Sequence, residues 1–211
     1  MFYAVYNVGI FTTWNEVVPL VHGVKGAKFK KFKKKDDAEY FLKHGDTPKM
    51  EFSKDQIHVF TDGSCKRVKG TLAAGVGIVF VHTDKAVGDP FMQFPLTNNR
   101  AEIKAVTKAL QMIDDNETKP IVVHTDSRYV INSITAYIYA WMKNGWKTQA
   151  KTDVLNKDLW QELYQEILKK KKTRVLFEHV KGHAGHVYNE IADKMANKGA
   201  EFFMHLQIND G

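Results

Sequence analysis

Four acidic side chains stand at punctuation points of the chain. They are Asp62 in Phe60-Thr61-Asp62-Gly63-Ser64, Glu102 in Thr97-Asn98-Asn99-Arg100-Ala101-Glu102, Asp126 in His124-Thr125-Asp126-Ser127 and Asp193 in Asn189-Glu190-Ile191-Ala192-Asp193. Gathered in one place, such acids cannot all stay ionised without counter-charge, and a pair of divalent cations is the usual answer. Carboxylate oxygens are hard donors that suit magnesium better than imidazole or thiolate does. Two such ions about 4 Å apart can activate a water for in-line attack at a phosphodiester and neutralise the leaving 3′ oxygen. A single Asp after a strand is an ordinary turn or cap residue. The weight therefore rests on all four acids taken with their flanking words.

The elements that must position these acids can be read from periodicity. Ile57–Thr61 and Ile121–Thr125 read as strands, so Asp62 and Asp126 each follow one. If the two strands are neighbours in a mixed sheet, both acids leave it at the same end. Glu102 falls in the first turns of a helix expected over Asn98–Ile113, capped by Thr97 or Asn98, and Asp193 falls on a last helix from about Tyr188 to Ala200. Further strands are expected over Gly75–His82, Phe91–Leu96 and Arg174–Val180. Helical stretches run to Asn144, and another helix spans Asp153–Lys170.

Residues 1–45 form a separate pattern. Strand Phe2–Tyr6, a turn at Asn7-Val8-Gly9, strand Ile10–Thr13, a short helix Trp14–Val21, strand Ala27–Phe32 and a helix from Asp36-Asp37 to a stop at Gly45 give the order ββαβα. Residues 46–56, charged and aperiodic with one proline, read as a short linker, residues 57–203 as the main domain and residues 204–211 as a C-terminal tail.

The net charge of +7 suggests a polyanionic partner, and seven lysines between Lys25 and Lys35, interleaved with Phe29 and Phe32, concentrate that charge on the small domain. An apolar content of 44% excludes a disordered or collagen-like chain. The single cysteine, Cys65, cannot make an internal disulfide. Apolar runs such as Val76–Val81 fall far short of the ~18 residues a membrane span needs, and Met1–Tyr6 reads as a strand and not as a leader, so a cytoplasmic or nuclear location is expected.

The words Thr61-Asp62-Gly63-Ser64, Thr97 to Glu102, Thr125-Asp126-Ser127 and Val180-Lys181-Gly182-His183-Ala184-Gly185-His186 followed by Asp193 resemble the type 1 ribonuclease H family over about residues 57–202. Trp141-Met142-Lys143-Asn144-Gly145-Trp146-Lys147-Thr148 is similar to the basic handle of its cellular members. Residues 1–45 resemble the hybrid-binding domain that precedes some of these enzymes, through Phe2-Tyr3-Ala4-Val5, Thr13-Trp14-Asn15-Glu16 and Lys28-Phe29-Lys30-Lys31-Phe32.

The resemblance implies an α/β ribonuclease H-like fold, a five-stranded mixed sheet flanked by helices. It implies endonucleolytic cleavage of the RNA strand of RNA/DNA hybrids, leaving 5′-phosphate and 3′-hydroxyl ends. Two Mg2+ ions, which Mn2+ can replace, would be held by Asp62, Glu102, Asp126 and Asp193, with His183 as an auxiliary catalytic residue in proton transfer or product release. Asn98 and Asn99 match RNA-contacting positions. Thr97, Tyr129, Tyr137 and Asn156 match DNA-contacting ones, and Tyr3, Trp14, Phe29, Lys30 and Lys31 match the contact set of the hybrid-binding domain, for which double-stranded RNA is a second expected ligand. No membrane and no obligate protein partner is implied.

This sequence also departs from the pattern. Cys65 to Gly70 lacks the family's further asparagine, Pro95 stands where some members carry arginine, leaving phosphate grip to Arg100 or handle lysines, and the loop at Asn7-Val8-Gly9 is short. Trp141, Trp146 and the run Lys169 to Lys172 read as structural. Two other readings stay open. One is a non-catalytic binder of hybrid or double-stranded RNA. The other is a polynucleotidyl transferase or resolvase on the same fold, which would leave Asn98-Asn99 and the handle without a purpose.

Overall fold

The computed structural model describes residues 1–45, 51–83, 85–182 and 186–209. The chain divides into two compact units, Met1–Glu51 and Phe52–Gly211. The first contains β1 (Phe2–Val5), β2 (Gly9–Phe11), α1 (Trp14–Val21), β3 (Phe29–Phe32) and α2 (Lys35–His44), with an antiparallel sheet in the order β2-β1-β3. Side chains alternate across these strands. Ala4 and Phe32, with the half-buried Phe2 and Ile10, pack on Ala38 and Phe41 of α2. α1 begins where the Thr13 amide and hydroxyl both donate to the Glu16 carboxylate (2.8 and 2.6 Å). α2 stops at Gly45, whose left-handed φ of 65° suits glycine and whose N–H caps the Phe41 carbonyl.

The second unit is built on a five-stranded sheet. Its elements are β4 (Ile57–Val68), β5 (Thr71–Phe80), β6 (Ala86–Pro90), α3 (Asn98–Gln111), β7 (Ile121–Thr125), α4 (Arg128–Asn132), a π-helical turn Ser133–Tyr137, α5 (Ile138–Lys143), α6 (Lys157–Lys169), β8 (Val175–His179) and α7 (Val187–Asn209). The sheet order is β6-β5-β4-β7-β8. β4, β5 and β6 form an antiparallel meander, and β7 and β8 add in parallel.

One face of the sheet is covered by α3 backed by α6, through Ile103, Val106, Leu110, Trp160 and Leu163. α7 lies on the other face, against Phe60, Val79 and Val81 through Ala192. It can lie close because Gly75 and Gly77 of β5 have no side chain. A Cβ at either position would strike the α7 backbone, at Ala200 or Ala192 respectively. α7 continues to Asn209, with Phe203 and Met204 buried. Phe52, in the expected linker, packs edge-on against Phe60 and Tyr188 of the second unit, while residues 46–50 lie outside the described residues.

Three expectations need correction. The strand expected at Phe91–Leu96 is instead β6, Ala86–Pro90: pairing with β5 ends where the Phe91 N–H donates to the Ala74 carbonyl, and Phe94 beyond it is 69% exposed. As an edge strand, β6 tolerates the Gly88, Asp89 and Pro90 that made it look like a loop. The helix expected from Asp153 starts at Lys157, since Asn156 takes a left-handed φ of 61°. Asp62 does not follow its strand but sits within it, because β4 outruns β7 and continues along β5 to Val68.

Candidate active site

The parallel register of β4 and β7 pairs Ile57 with Ile121 and Phe60 with His124. Two steps further along that register, Asp62 and Asp126 come side by side. β7 has ended at Thr125, and the turn is held by the Ser127 N–H donating to Thr125 Oγ1 (3.1 Å) and by Ser127 Oγ accepting from the Val130 N–H of α4 (3.3 Å).

Glu102 arrives from the other side of the sheet. Thr97 caps α3 by accepting from the Arg100 N–H (3.2 Å), and Gly63 lets the first turns of the helix lie against β4, since any Cβ there would strike the backbone of Ala101 and Glu102. One oxygen each from Asp62, Glu102 and Asp126 lies within 4.8 Å of the others. Asp193 is half-buried on α7, and its charge reaches Asp62.

The electrostatics of this group are unbalanced. Burial, reinforced by the charges of Asp126 and Asp193, pushes the Asp62 carboxyl up to about 7 against a small opposing pull from the Gly63 amide. Burial, with Asp62 and Asp126, pushes Glu102 well above the usual carboxylate range. Glu102 Oε2 is buried and accepts no hydrogen bond. An all-oxygen donor set with surplus negative charge and an orphaned carboxylate oxygen fits a hard divalent cation. These same residues would hold one.

Sequence reading missed Asn189, which is buried and donates from Nδ2 to Asp126 Oδ2 (3.2 Å). The signal was its spacing: Asn189, Asp193 and Asn197 recur every four residues and so share one face of α7. It also missed Gly182, where a Cβ would meet Asp126 Oδ2, so the absence of a side chain lets the backbone at Gly182 approach that carboxylate. His183, the next residue, lies outside the described residues. His186 packs near Phe60 (ring centroids 4.7 Å), and burial lowers its pKa.

The expected nucleic-acid residues fall into three groups. Asn98 and Asn99 are exposed at the start of α3, and Asn98 Oδ1 accepts from the Cys65 N–H (3.1 Å), tying the helix to β4. Asn156 donates to the Tyr129 hydroxyl (3.1 Å), and Tyr137 is half-exposed beside Trp141. Arg100 is not available to grip phosphate: it is buried in a bidentate pair with Asp158 (2.8 and 2.6 Å), which pins the first turn of α3, capped by Thr97, to the first turn of α6 after Asn156.

In the first unit, Trp14 lies between Tyr3 and Phe29 (5.7 and 5.6 Å between ring centroids), with the Lys31 ammonium 5.4 Å from the Tyr3 ring. Lys30 alternates to the opposite face, the one that packs on α2, and does not join that set. Trp141 and Trp146 pack against the core. Lys170 is buried, donating to the Ile113 carbonyl and to Asp115 (2.6 and 2.5 Å), a structural role.

Comparison with known proteins agrees with this geometry. Residues 54–201 match the RNase H family, and residues 1–42 match the Ribonuclease H1 N-terminal domain. The chain is 40% identical over 146 residues to Ribonuclease HI of Pasteurella multocida (69% of this chain, 90% of that protein) and 41% identical over 149 residues to Ribonuclease H of Chromobacterium violaceum (71% and 97%). Among solved structures it resembles LC9-RNase H1, described as a type 1 RNase H with the type 2 active-site motif (TM-score 0.55, 27% identity, 73% of this chain and 76% of that one). It also resembles a foamy viral protease-reverse transcriptase in complex with RNA/DNA hybrid (TM-score 0.58, 26% identity, 75% and 23%). A carboxylate cluster assembled from two parallel strands and a capped helix, together with family matches over both units and relatives about 40% identical over some 70% of the chain, assigns the chain to the ribonuclease H family, with the Ribonuclease H1 N-terminal domain ahead of it.

Proposed function

We propose that the protein hydrolyses the RNA strand of RNA/DNA hybrids internally, leaving 5′-phosphate and 3′-hydroxyl ends, with two Mg2+ ions held by Asp62, Glu102, Asp126 and Asp193. The observation that carries the reading is the meeting of Asp62, Glu102 and Asp126 oxygens within 4.8 Å, with one Glu102 oxygen left without a partner. When bound, the ions lower the pKa of a water and stabilise charge on the leaving 3′ oxygen. Asp62 and Asp126, adjacent across two strands, supply a rigid edge to the centre, and Asn189 fixes the Asp126 carboxylate by engaging Oδ2. Glu102, held down by the approach of α3 at Gly63, closes it from the other face. His183, which follows Gly182 in the sequence, is assigned to proton transfer or product release.

Strand discrimination needs polar groups set against 2′-hydroxyls in a wide, shallow minor groove. The exposed amides Asn98 and Asn99, at the start of the helix that carries Glu102, are assigned to the RNA strand. Thr97, Tyr129, Tyr137 and Asn156 are assigned to the DNA strand. The Tyr3–Trp14–Phe29 face with Lys31 suits stacking against sugars or bases while binding phosphate, on hybrid or double-stranded RNA.

Matched 20-mer duplexes of RNA/DNA, RNA/RNA and DNA/DNA, each strand labelled in turn and incubated with Mg2+, test the reading. Cleavage confined to the RNA strand of the hybrid is expected. Tight binding of hybrid without turnover would instead make the chain a non-catalytic binder.

A further inference from the structure

Asp193 stands outside the group of three acids whose oxygens gather within 4.8 Å, yet its charge helps to raise Asp62. A hydrogen-bonded relay sets its position. The Ser64 hydroxyl donates to Asn197 Oδ1 (3.0 Å), and Asn197 Nδ2 donates to Asp193 Oδ1 (3.2 Å) and to the Asp193 carbonyl (2.9 Å). The amide can face only one way. Its Nδ2 meets a carbonyl and a carboxylate, neither of which can donate, so a flipped amide would set oxygen against two acceptors. Oδ1 must then face Ser64, and the hydroxyl must be the donor.

Ser64 lies two residues beyond Asp62 on β4, and so on the same face of the strand, while Asn197 lies one turn beyond Asp193 on α7. The relay therefore links the strand and the helix that carry two of the acids. It engages Asp193 Oδ1 and leaves Oδ2 without a hydrogen bond among the described residues. A neutral amide suits this task, because a lysine or arginine at the same place would pair with Asp193 and compete with a cation for it.

We propose that Asn197, oriented by Ser64, is a positioning residue that holds the Asp193 carboxylate with one oxygen engaged and the other presented to the shared centre, thereby setting the affinity for the divalent cation that Asp193 helps to bind. The inference rests on the assignment of Asp193 to cation binding made above.

Calorimetric titration of Mn2+ into the full chain without nucleic acid tests it. Asn197→Leu keeps the branched shape and removes all three hydrogen bonds of the amide, and it should weaken Mn2+ binding about tenfold, the usual scale for a group that orients a metal ligand. Cleavage by this variant should recover towards the wild-type rate at high Mn2+, with KM for hybrid unchanged. Ser64→Ala should shift affinity in the same direction by less, and it carries the test should Asn197→Leu not fold. In an Asp193→Asn background, Asn197→Leu should add nothing.

If Asp193→Asn weakens Mn2+ binding while Asn197→Leu and Ser64→Ala change only the melting temperature, the relay is structural and the inference is overturned, with the role of Asp193 intact. If Asp193→Asn leaves Mn2+ affinity unchanged, the assignment beneath it has failed.

Discussion

Asp62 keeps its proton in the folded, metal-free chain at pH values where the unfolded chain has lost it. Its pKa rises from 3.8 to about 7, chiefly because burial penalises the charge, with Asp126 and Asp193 adding to the effect. The folded state thus binds more protons between about pH 4 and 7, and the stability this contributes is lost as pH rises through that window. His124 is held neutral by burial, then by His58 and His186, with a pKa of about 4; it titrates in the same window with the opposite sign, so a variant comparison is needed to isolate Asp62. Without metal at pH 8, Asp62→Asn should melt at a higher temperature than the wild type, and the difference should vanish towards pH 4. Added Mg2+ should raise the wild-type melting temperature more than that of the variant. A wild type as stable as Asp62→Asn in metal-free buffer at pH 8 would show that the carboxylate is not under the burial and charge described.

At the scale of elements, the seating of α7 depends on glycines whose place a side chain cannot take. Gly77→Ala would drive a methyl group into the Ala192 carbonyl, lifting the helix that carries Asn189, Asp193 and Asn197. A destabilisation of about 3 kcal/mol, the upper end of overpacking costs, is expected in urea unfolding, together with weaker Mn2+ binding. A variant with wild-type stability would mean that the helix is not pressed on the strand. Such close approaches explain what could and could not be read in advance. Strand Ile121–Thr125, helix Trp14–Val21 and the start of helix α3 at Asn98 were legible because local periodicity and caps specify them. β6 was not legible, because Gly88 and Pro90 are tolerated only by its edge position. The acids were legible through their flanking words. Asn189, Ser64 and Asn197 were not, because their roles depend on which strand faces which helix. Arg100 looked like a phosphate ligand until Asp158, 58 residues away in sequence, claimed it.

Across the whole molecule, the densest run of lysines and the carboxylate cluster lie in different units. The dense lysine run Lys25 to Lys35 and the Tyr3–Trp14–Phe29 face belong to Met1–Glu51, and the clustered carboxylates to Phe52–Gly211. Deleting residues 1–51 should lower affinity for hybrid and flatten its dependence on salt, by roughly 0.7–0.9 in log–log slope for each phosphate contact removed. An unchanged slope would assign the lysine run to solubility. The proposed activity depends on the carboxylate cluster working through divalent cations. The most direct measurement is the rate of RNA-strand cleavage in a labelled hybrid as Mg2+ is titrated up from EDTA, for the wild type and for Asp126→Asn, which keeps the shape of the side chain and removes its charge. The wild type should be silent in EDTA and rise to saturation with Mg2+, while Asp126→Asn binds hybrid nearly as well and stays at least about a hundredfold slower at every Mg2+ concentration. Cleavage that persists in EDTA, or a near-normal rate in Asp126→Asn, would contradict it.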